Sequence, residues 1–197
     1  VGLFNVLSKY KNLNFSKREL AIESSKIEME KLKANVGHQD NIIAAYGGIT
    51  EQVYQSDKIK IKKLKTSSEF RNVISNNLVM VYTNFERSAS KILQKQNILS
   101  KEKNLEMITN LNNTKELGFE TKKLIINNNF KEYYKILKEH WKIKKSRDKN
   151  ITNSKIDQMY EYGIKNGAES GKLIGAGGGG FLLFFTHNKS KLINAFN

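Results

Sequence analysis

Apolar residues at the start of the chain recur at helical spacing. Leu3, Phe4, Val6 and Leu7 crowd the stretch 1–10, which reads as an apolar helix too dense for a surface. Ser16 followed by Glu19 has the form of a capping box and predicts a helix running to about Ala34, with Leu20, Ala21, Ser24 and Ile27 on its buried face. After a break at 35–37, residues 40–46 predict a short helix closed by Gly47 and Gly48. The period then falls to two, predicting strands over 49–54 and 58–64. Residues 78–83 form a continuous apolar run with β-branched members, read as a buried strand.

From Phe85 onward the helical period returns. Helices are expected over 88–99, over 101–127 with Leu105, Ile108 and Leu111, and over 130–145 with Phe130, Tyr134, Leu137 and Trp141 along one face. A fourth, capped by Asn153 or Ser154, carries Ile156, Met159, Tyr160 and Ile164 to about Asn166. Gly167 ends it. Two short apolar segments, 172–174 and 181–185, then flank a glycine run as a hairpin, and a last helix is expected over 189–197. No internal repeat is visible, and the order of elements predicts an α+β fold.

Composition bounds what such a chain does. Its 197 residues suffice for one large domain or two small ones, and 39% hydrophobic with 27% charged residues describes a folded globular protein. With no cysteine there are no disulfides and no thiolate metal site. No apolar run approaches the roughly 20 residues of a membrane span. The net charge of +15 raises the question of nucleic acid, but lysine is spread over every segment, Asn and Ile are abundant and Pro is absent. That pattern is one of compositional drift. The densest basic stretches, 58–65 and 138–149, lack interleaved aromatics apart from Trp141, so nucleic acid is not the expected partner.

Two segments carry candidate chemistry. Gly175, Ala176, Gly177, Gly178, Gly179 and Gly180 formally match a dinucleotide-binding pattern, yet a strand rather than a helix follows, and no Lys-Ser or Lys-Thr follows as a P-loop requires. A structural hairpin and a loop that lets another segment or a phosphate approach closely both remain open. The second segment is Gly37-His38-Gln39-Asp40-Asn41. Asp40 at a helix start reads as an N-cap or as a carboxylate placed to orient and deprotonate a hydroxyl; the two roles are compatible, and a helix N-terminus favours the anion. The three histidines show no metal-ligand spacing.

Together these segments resemble a known superfamily. The stretch Gly37-His38-Gln39-Asp40-Asn41-Ile42-Ile43-Ala44-Ala45-Tyr46-Gly47-Gly48 is similar to the G-K-Q-D-Q-Y-A-A-A-Y-G-G segment of the GHMP kinases (galactokinase, homoserine, mevalonate and phosphomevalonate kinases), and 175–180 resembles their third motif. The D-glycero-D-manno-heptose 7-phosphate kinase branch is the most similar. Tyr82-Thr83-Asn84-Phe85-Glu86-Arg87 resembles its Y-T-G-x-x-R, and Lys138-Glu139-His140-Trp141 with Lys144-Lys145 and Ile151-Thr152-Asn153 with Ile156-Asp157 resemble its H-E-x-W-x-x-K-K and I-S-N-x-x-I-D segments. Here His38 replaces the usual Lys, Asn41 replaces Gln, and Asn84 replaces a Gly, which the tolerance of Asn for the left-handed region accommodates.

The resemblance implies an S5-like N-terminal domain, of which 1–84 is the later part, and a ferredoxin-like, helix-rich C-terminal domain over 85–197. It implies ATP-dependent phosphorylation of a sugar hydroxyl with Mg2+, in the cytoplasm, the acceptor being the anomeric hydroxyl of a heptose 7-phosphate; a homodimer is compatible with it. Asp40 matches the catalytic aspartate. Gly37, His38, Gln39, Tyr46 and Arg87 are expected at the sugar, Arg87 at its phosphate because a planar fork suits phosphate bidentately. The glycines of 175–180 would support the phosphate loop. The family's P-x-x-x-G-L-G-S-S-S-A motif and its metal ligands would precede Val1, so this stretch is expected to carry no metal ligand and to be inactive alone. The alternatives are a fucokinase- or galactokinase-like enzyme, or a non-catalytic basic binding module on the same fold.

Overall fold

The computed structural model describes residues 1–55, 58–86 and 89–197, and of 89–91 the backbone only. The chain divides into two compact units, Val1–Lys65 and Thr66–Asn197. The boundary drawn from the sequence after residue 84 instead falls just past a strand that pairs within the second unit.

The first unit begins with helices α1 (Gly2–Tyr10) and α2 (Lys17–Lys26). The capping box forms as expected: Glu19 N–H donates to Ser16 Oγ at 3.2 Å, and Ser16 N–H donates to a Glu19 carboxylate oxygen at 2.7 Å. The helix does not run evenly to Ala34. A π turn, Ile27–Lys31, follows α2 directly. Leu20, Ala21 and Ser24 are buried as expected, but Ser25 is buried as well and Ile27, where the π turn begins, is exposed. The α1 expectation fails on packing. Leu3, Val6 and Leu7 are 74%, 64% and 55% exposed, and of the apolar set Phe4 meets Phe15, ring centroids 5.1 Å apart. Helix α3 (Gln39–Tyr46) and the antiparallel pair β1 (Thr50–Tyr54) and β2 (Ile59–Lys63) complete the unit.

The second unit opens with α4 (Ser68–Asn77), a helix the apolar spacing did not announce; Ser67 caps it by accepting from Phe70 N–H at 2.9 Å. Its Phe70 is buried against Phe130 and Tyr133. Strand β3 (Leu78–Tyr82), α5 (Ala89–Lys101), α6 (Leu105–Ile126), α7 (Phe130–Arg147), α8 (Ser154–Lys165), β4 (Ala168–Leu173), β5 (Phe181–Thr186) and α9 (Lys189–Phe196) follow. The single helix expected over 101–127 is broken at Lys103, whose φ of 54° admits no helix, and Asn104 caps α6.

The sheet has the order β3-β5-β4, all antiparallel, with β5 in the centre. β3 is an edge strand, which corrects its reading as fully buried: Val79 is buried, but Met80 and Tyr82 are 54% and 43% exposed. One sheet face joins α7, α8 and α9 in the core of Val79, Trp141, Ile156, Leu173, Leu182, Phe184 and Leu192. Phe184 sits where two glycines leave room. A Cβ on Gly163 of α8 would lie 2.5 Å from its ring, and one on Gly171 of β4 would lie 2.6 Å away.

Helical glycines ordinarily weaken helices by about 1 kcal/mol relative to alanine. Gly118, exposed in α6 with nothing within 4 Å of an added Cβ, obeys that rule, so Gly118→Ala raises stability by about 0.5–1 kcal/mol in urea titrations. Gly163→Ala has the opposite sign, a loss of about 1–3 kcal/mol, because the methyl displaces Phe184.

Candidate active site

The sequence-assigned residues fall into two groups, one in each unit. In the first, α3 is held from both ends. Gly47 at φ 64° closes it, its N–H bonding Ile43 O at 2.9 Å, in a conformation a side chain resists. On the inner side Ile42 is fully buried and Asn41 Nδ2 donates to a Glu28 carboxylate oxygen at 2.7 Å, tying the helix start to the π turn. Asp40, one position before Asn41, therefore faces outward and is exposed.

Asp40 is not the N-cap. His38 occupies that position with no side-chain capping bond, and Asp40 sits one turn-step inside the helix, where the N-terminal dipole still acts. Its carboxylate is thus not consumed in capping. Burial and the charge of Asp40 together raise the Tyr54 hydroxyl above its ordinary range, which puts that ring in the field of Asp40. Tyr54 O–H donates to Gln52 Oε1 at 2.5 Å. His38 and Tyr54 line an open cavity of about 460 Å³ with Arg18, Glu23 and Lys58, and His38 Nδ1 is buried there with no hydrogen-bond partner among the described residues. Gly37 and Gln39 are exposed on the approach to the helix, and Tyr46 is half-buried at its end. Arg87 lies outside the described residues.

The second group is the loop 174–180 between β4 and β5, and here the structure decides what the glycines are for. Thr83 N–H and Thr83 Oγ1 both donate to Gly180 O at 2.9 Å, and Gly180 N–H donates back to Phe85 O at 2.9 Å. The turn that presents these groups contains Asn84 at φ 60°, the left-handed conformation expected of it. Gly179 passes so close that a Cβ would stand 2.2 Å from Phe85 O. Gly178 N–H donates to Ile151 O at 2.8 Å, and a Cβ on Gly177 (φ 119°) would meet Ile151 Cα at 3.0 Å. The close-approach reading holds, and the approaching segments are 83–85 and 151. The amides of Gly178 and Gly180 are bound to protein carbonyls, so these two do not cradle a phosphate. Gly175 and Ala176 are the more open part of the loop.

The loop preceding α8 is itself pinned. Lys95 Nζ of α5 lies 2.6 Å from Asp148 Oδ2, and Asn150 N–H bonds the other carboxylate oxygen at 2.8 Å. Burial alone would raise Asp148, but Lys95 and Asn150 outweigh it and hold the carboxyl below its usual range. Lys144 of α7 fixes the entry to the glycine loop, donating to Leu173 O at 2.9 Å and Gly175 O at 2.6 Å from a buried position. Burial, reinforced by Lys172 and Arg147, pushes its ammonium down to about 7. Burial and the same cations push His140 down to about 4. Sequence reasoning placed Lys144 in a basic run and in the segment resembling H-E-x-W-x-x-K-K, but gave it no role, since nothing in a helix already rich in lysine marks which one turns inward.

Residues 121–197 match the family described as GHMP kinases C terminal. The chain is 29% identical over 193 residues to the D-glycero-alpha-D-manno-heptose 7-phosphate kinase of Campylobacter jejuni, covering 97% of this chain and 56% of that protein. The structure resembles that of a candidate sugar kinase from Campylobacter jejuni, with a TM-score of 0.72 and 27% identity over 98% of this chain and 54% of the other. The chain has the GHMP kinase fold. The same fold is seen in the L. major mevalonate kinase solved with R-mevalonate, TM-score 0.73 at 16% identity, covering 96% of this chain and 56% of that one. The chain therefore spans about half the length of these GHMP kinases. No helix among the described residues is long and apolar enough to cross a membrane.

The contrast between two loop glycines tests the anchoring. Gly179→Ala drives a methyl into a backbone carbonyl and costs at least about 3 kcal/mol in urea unfolding. Gly175→Ala meets open space and bears only the left-handed strain at φ 74°, about 1–2 kcal/mol.

Proposed function

We propose that the protein phosphorylates a hydroxyl of a sugar at the expense of ATP, with the anomeric hydroxyl of a heptose 7-phosphate as acceptor and Asp40 as the base. The observation that carries this reading is the carboxylate of Asp40 left uncommitted at the start of α3, between Gly37 and Gly48 of the segment that resembles the family's acceptor motif. Identity to a heptose 7-phosphate kinase over nearly the whole chain supports the same acceptor.

In the proposed step the acceptor O–H gives its proton to the Asp40 carboxylate while its oxygen bonds the γ-phosphorus of ATP. The bridging P–O bond to the β-phosphate breaks, and ADP departs with that electron pair. Little covalent work falls to the protein, so the rate comes from positioning and charge stabilisation. His38 and Tyr54, lining the cavity beside α3, contact the sugar. Arg87 takes the phosphate the sugar already carries. The glycine loop is held rigid by its bonds to Thr83, Phe85 and Ile151. Mg2+ is implied by the resemblance, but among the described residues no three His, Asp or Glu side chains converge to hold a metal ion.

Asp40→Asn in the complete gene product lowers turnover by about 10²–10⁴-fold and leaves nucleotide affinity unchanged. A coupled ADP-release assay with nucleotide titration reads both. Full turnover in the variant would remove Asp40 from the reaction.

A further inference from the structure

A buried ammonium is costly unless hydrogen-bonded. In the second unit one such group, Lys144, is set among charges of its own sign. Lys172 faces it from β4 and Arg147 shares its helix, while His140, one turn before it, is pushed toward its neutral form by the same cations. Lys172 Nζ lies 3.5 Å from His140 Nδ1. Arg147 is bound to Asn110 Oδ1 and Thr114 Oγ1 on α6, both neutral and both at 2.8 Å. The acceptors of Lys144 are two backbone carbonyls, Leu173 O at the end of β4 and Gly175 O in the glycine loop.

Two carbonyls separated by one residue do not ordinarily converge on one point. In an extended strand consecutive carbonyls alternate sides, and those two residues apart point the same way but in parallel. Here Gly175 has φ 74°, a conformation that turns the chain at the moment it leaves the strand. The convergence thus supplies the ammonium with acceptors, and the ammonium holds the turn that starts the loop. Two charge-assisted bonds are among the stronger single links available to a loop. The downstream bonds, Gly178 to Ile151 and Gly180 to Phe85, each require the chain to arrive at that turn in register.

We propose that Lys144 is the positioning residue of the glycine loop: its ammonium clasps Leu173 O and Gly175 O and sets the path of residues 175–180. The catalytic meaning of this role rests on the sugar-kinase reading, in which the loop supports the phosphate-binding segment. The clasp itself does not.

The test has two parts, neither of which reads turnover. In the wild-type chain, NMR titration follows the Lys144 ζ-nitrogen and the carbonyl carbons of Leu173 and Gly175. The clasp predicts that all three move with one midpoint, and carbonyl shifts that stay flat while Lys144 titrates would overturn it. In Lys144→Met, amide exchange at Gly178 and Gly180 speeds up by about tenfold or more relative to Leu182 in the adjoining strand, and Lys144→Arg, which keeps the charge and the donors, reverses most of that gain. Uniform acceleration across loop and strand in Lys144→Met, with no rescue by Arg, would assign the residue a merely structural part. Should the Met variant fail to fold, the wild-type titration still decides. Loss of turnover in Asp40→Asn tests the reaction separately, so failure of either reading leaves the other standing.

Discussion

The second unit depends on one close approach of backbone to backbone. Gly179 runs against the carbonyl of Phe85 at a separation no other residue type tolerates, while Gly180 exchanges bonds with Thr83 and Phe85 on either side of it. This contact joins the end of β3 to the start of β5 beyond the last ladder pair, Tyr82 with Phe181. Because β5 is the central strand, the position of β3 follows from it. The glycine run is used for contact: it loses side chains so that neighbouring main chain can come near.

The same principle recurs inside the core. Phe184, in register with Val79 on one side and Gly171 on the other, fills space that Gly163 and Gly171 leave open, and it stacks on Tyr160 and Phe196 with centroids 6.0 and 5.9 Å away. Burying that ring contributes about 2–3 kcal/mol, and the fit is set by absent methyl groups. The inward-turned Lys144 shows the electrostatic counterpart. Most of the surplus positive charge lies in solvent and does little, but one ammonium is desolvated and must find carbonyls, and those carbonyls belong to the glycine loop.

How much of this was legible in the sequence varies with the physical cause. Capping chemistry was readable in advance: Ser16 with Glu19, and Asn153 ahead of α8, do what their side chains dictate. The hairpin around the glycines and the left-handed Asn84 were readable too, because turn geometry is a local property. The π turn after α2 was not, since a wide turn leaves no mark on apolar spacing, and Ile27 at its start is exposed. Helix α4 was missed because its burial rests chiefly on Phe70 rather than on a stripe. The edge placement of β3 was invisible because an apolar run looks alike in a central and in an edge strand. In the candidate site, Asp40 was found but its position was misread by two residues: His38 takes the cap, which is what leaves the carboxylate free. Tyr54 was unmarked and Lys144 was given no role, their parts arising from neighbours distant in sequence.

The proposed function is that of a phosphotransferase for a sugar, with the Asp40 carboxylate free at the start of α3. Its most direct test is phosphorus NMR on the complete gene product incubated with ATP and a panel of free and phosphorylated hexoses and heptoses. The account predicts a new sugar-phosphate resonance appearing in step with ADP for one heptose 7-phosphate. ADP accompanied only by inorganic phosphate across the whole panel, or no ADP at all, would contradict it.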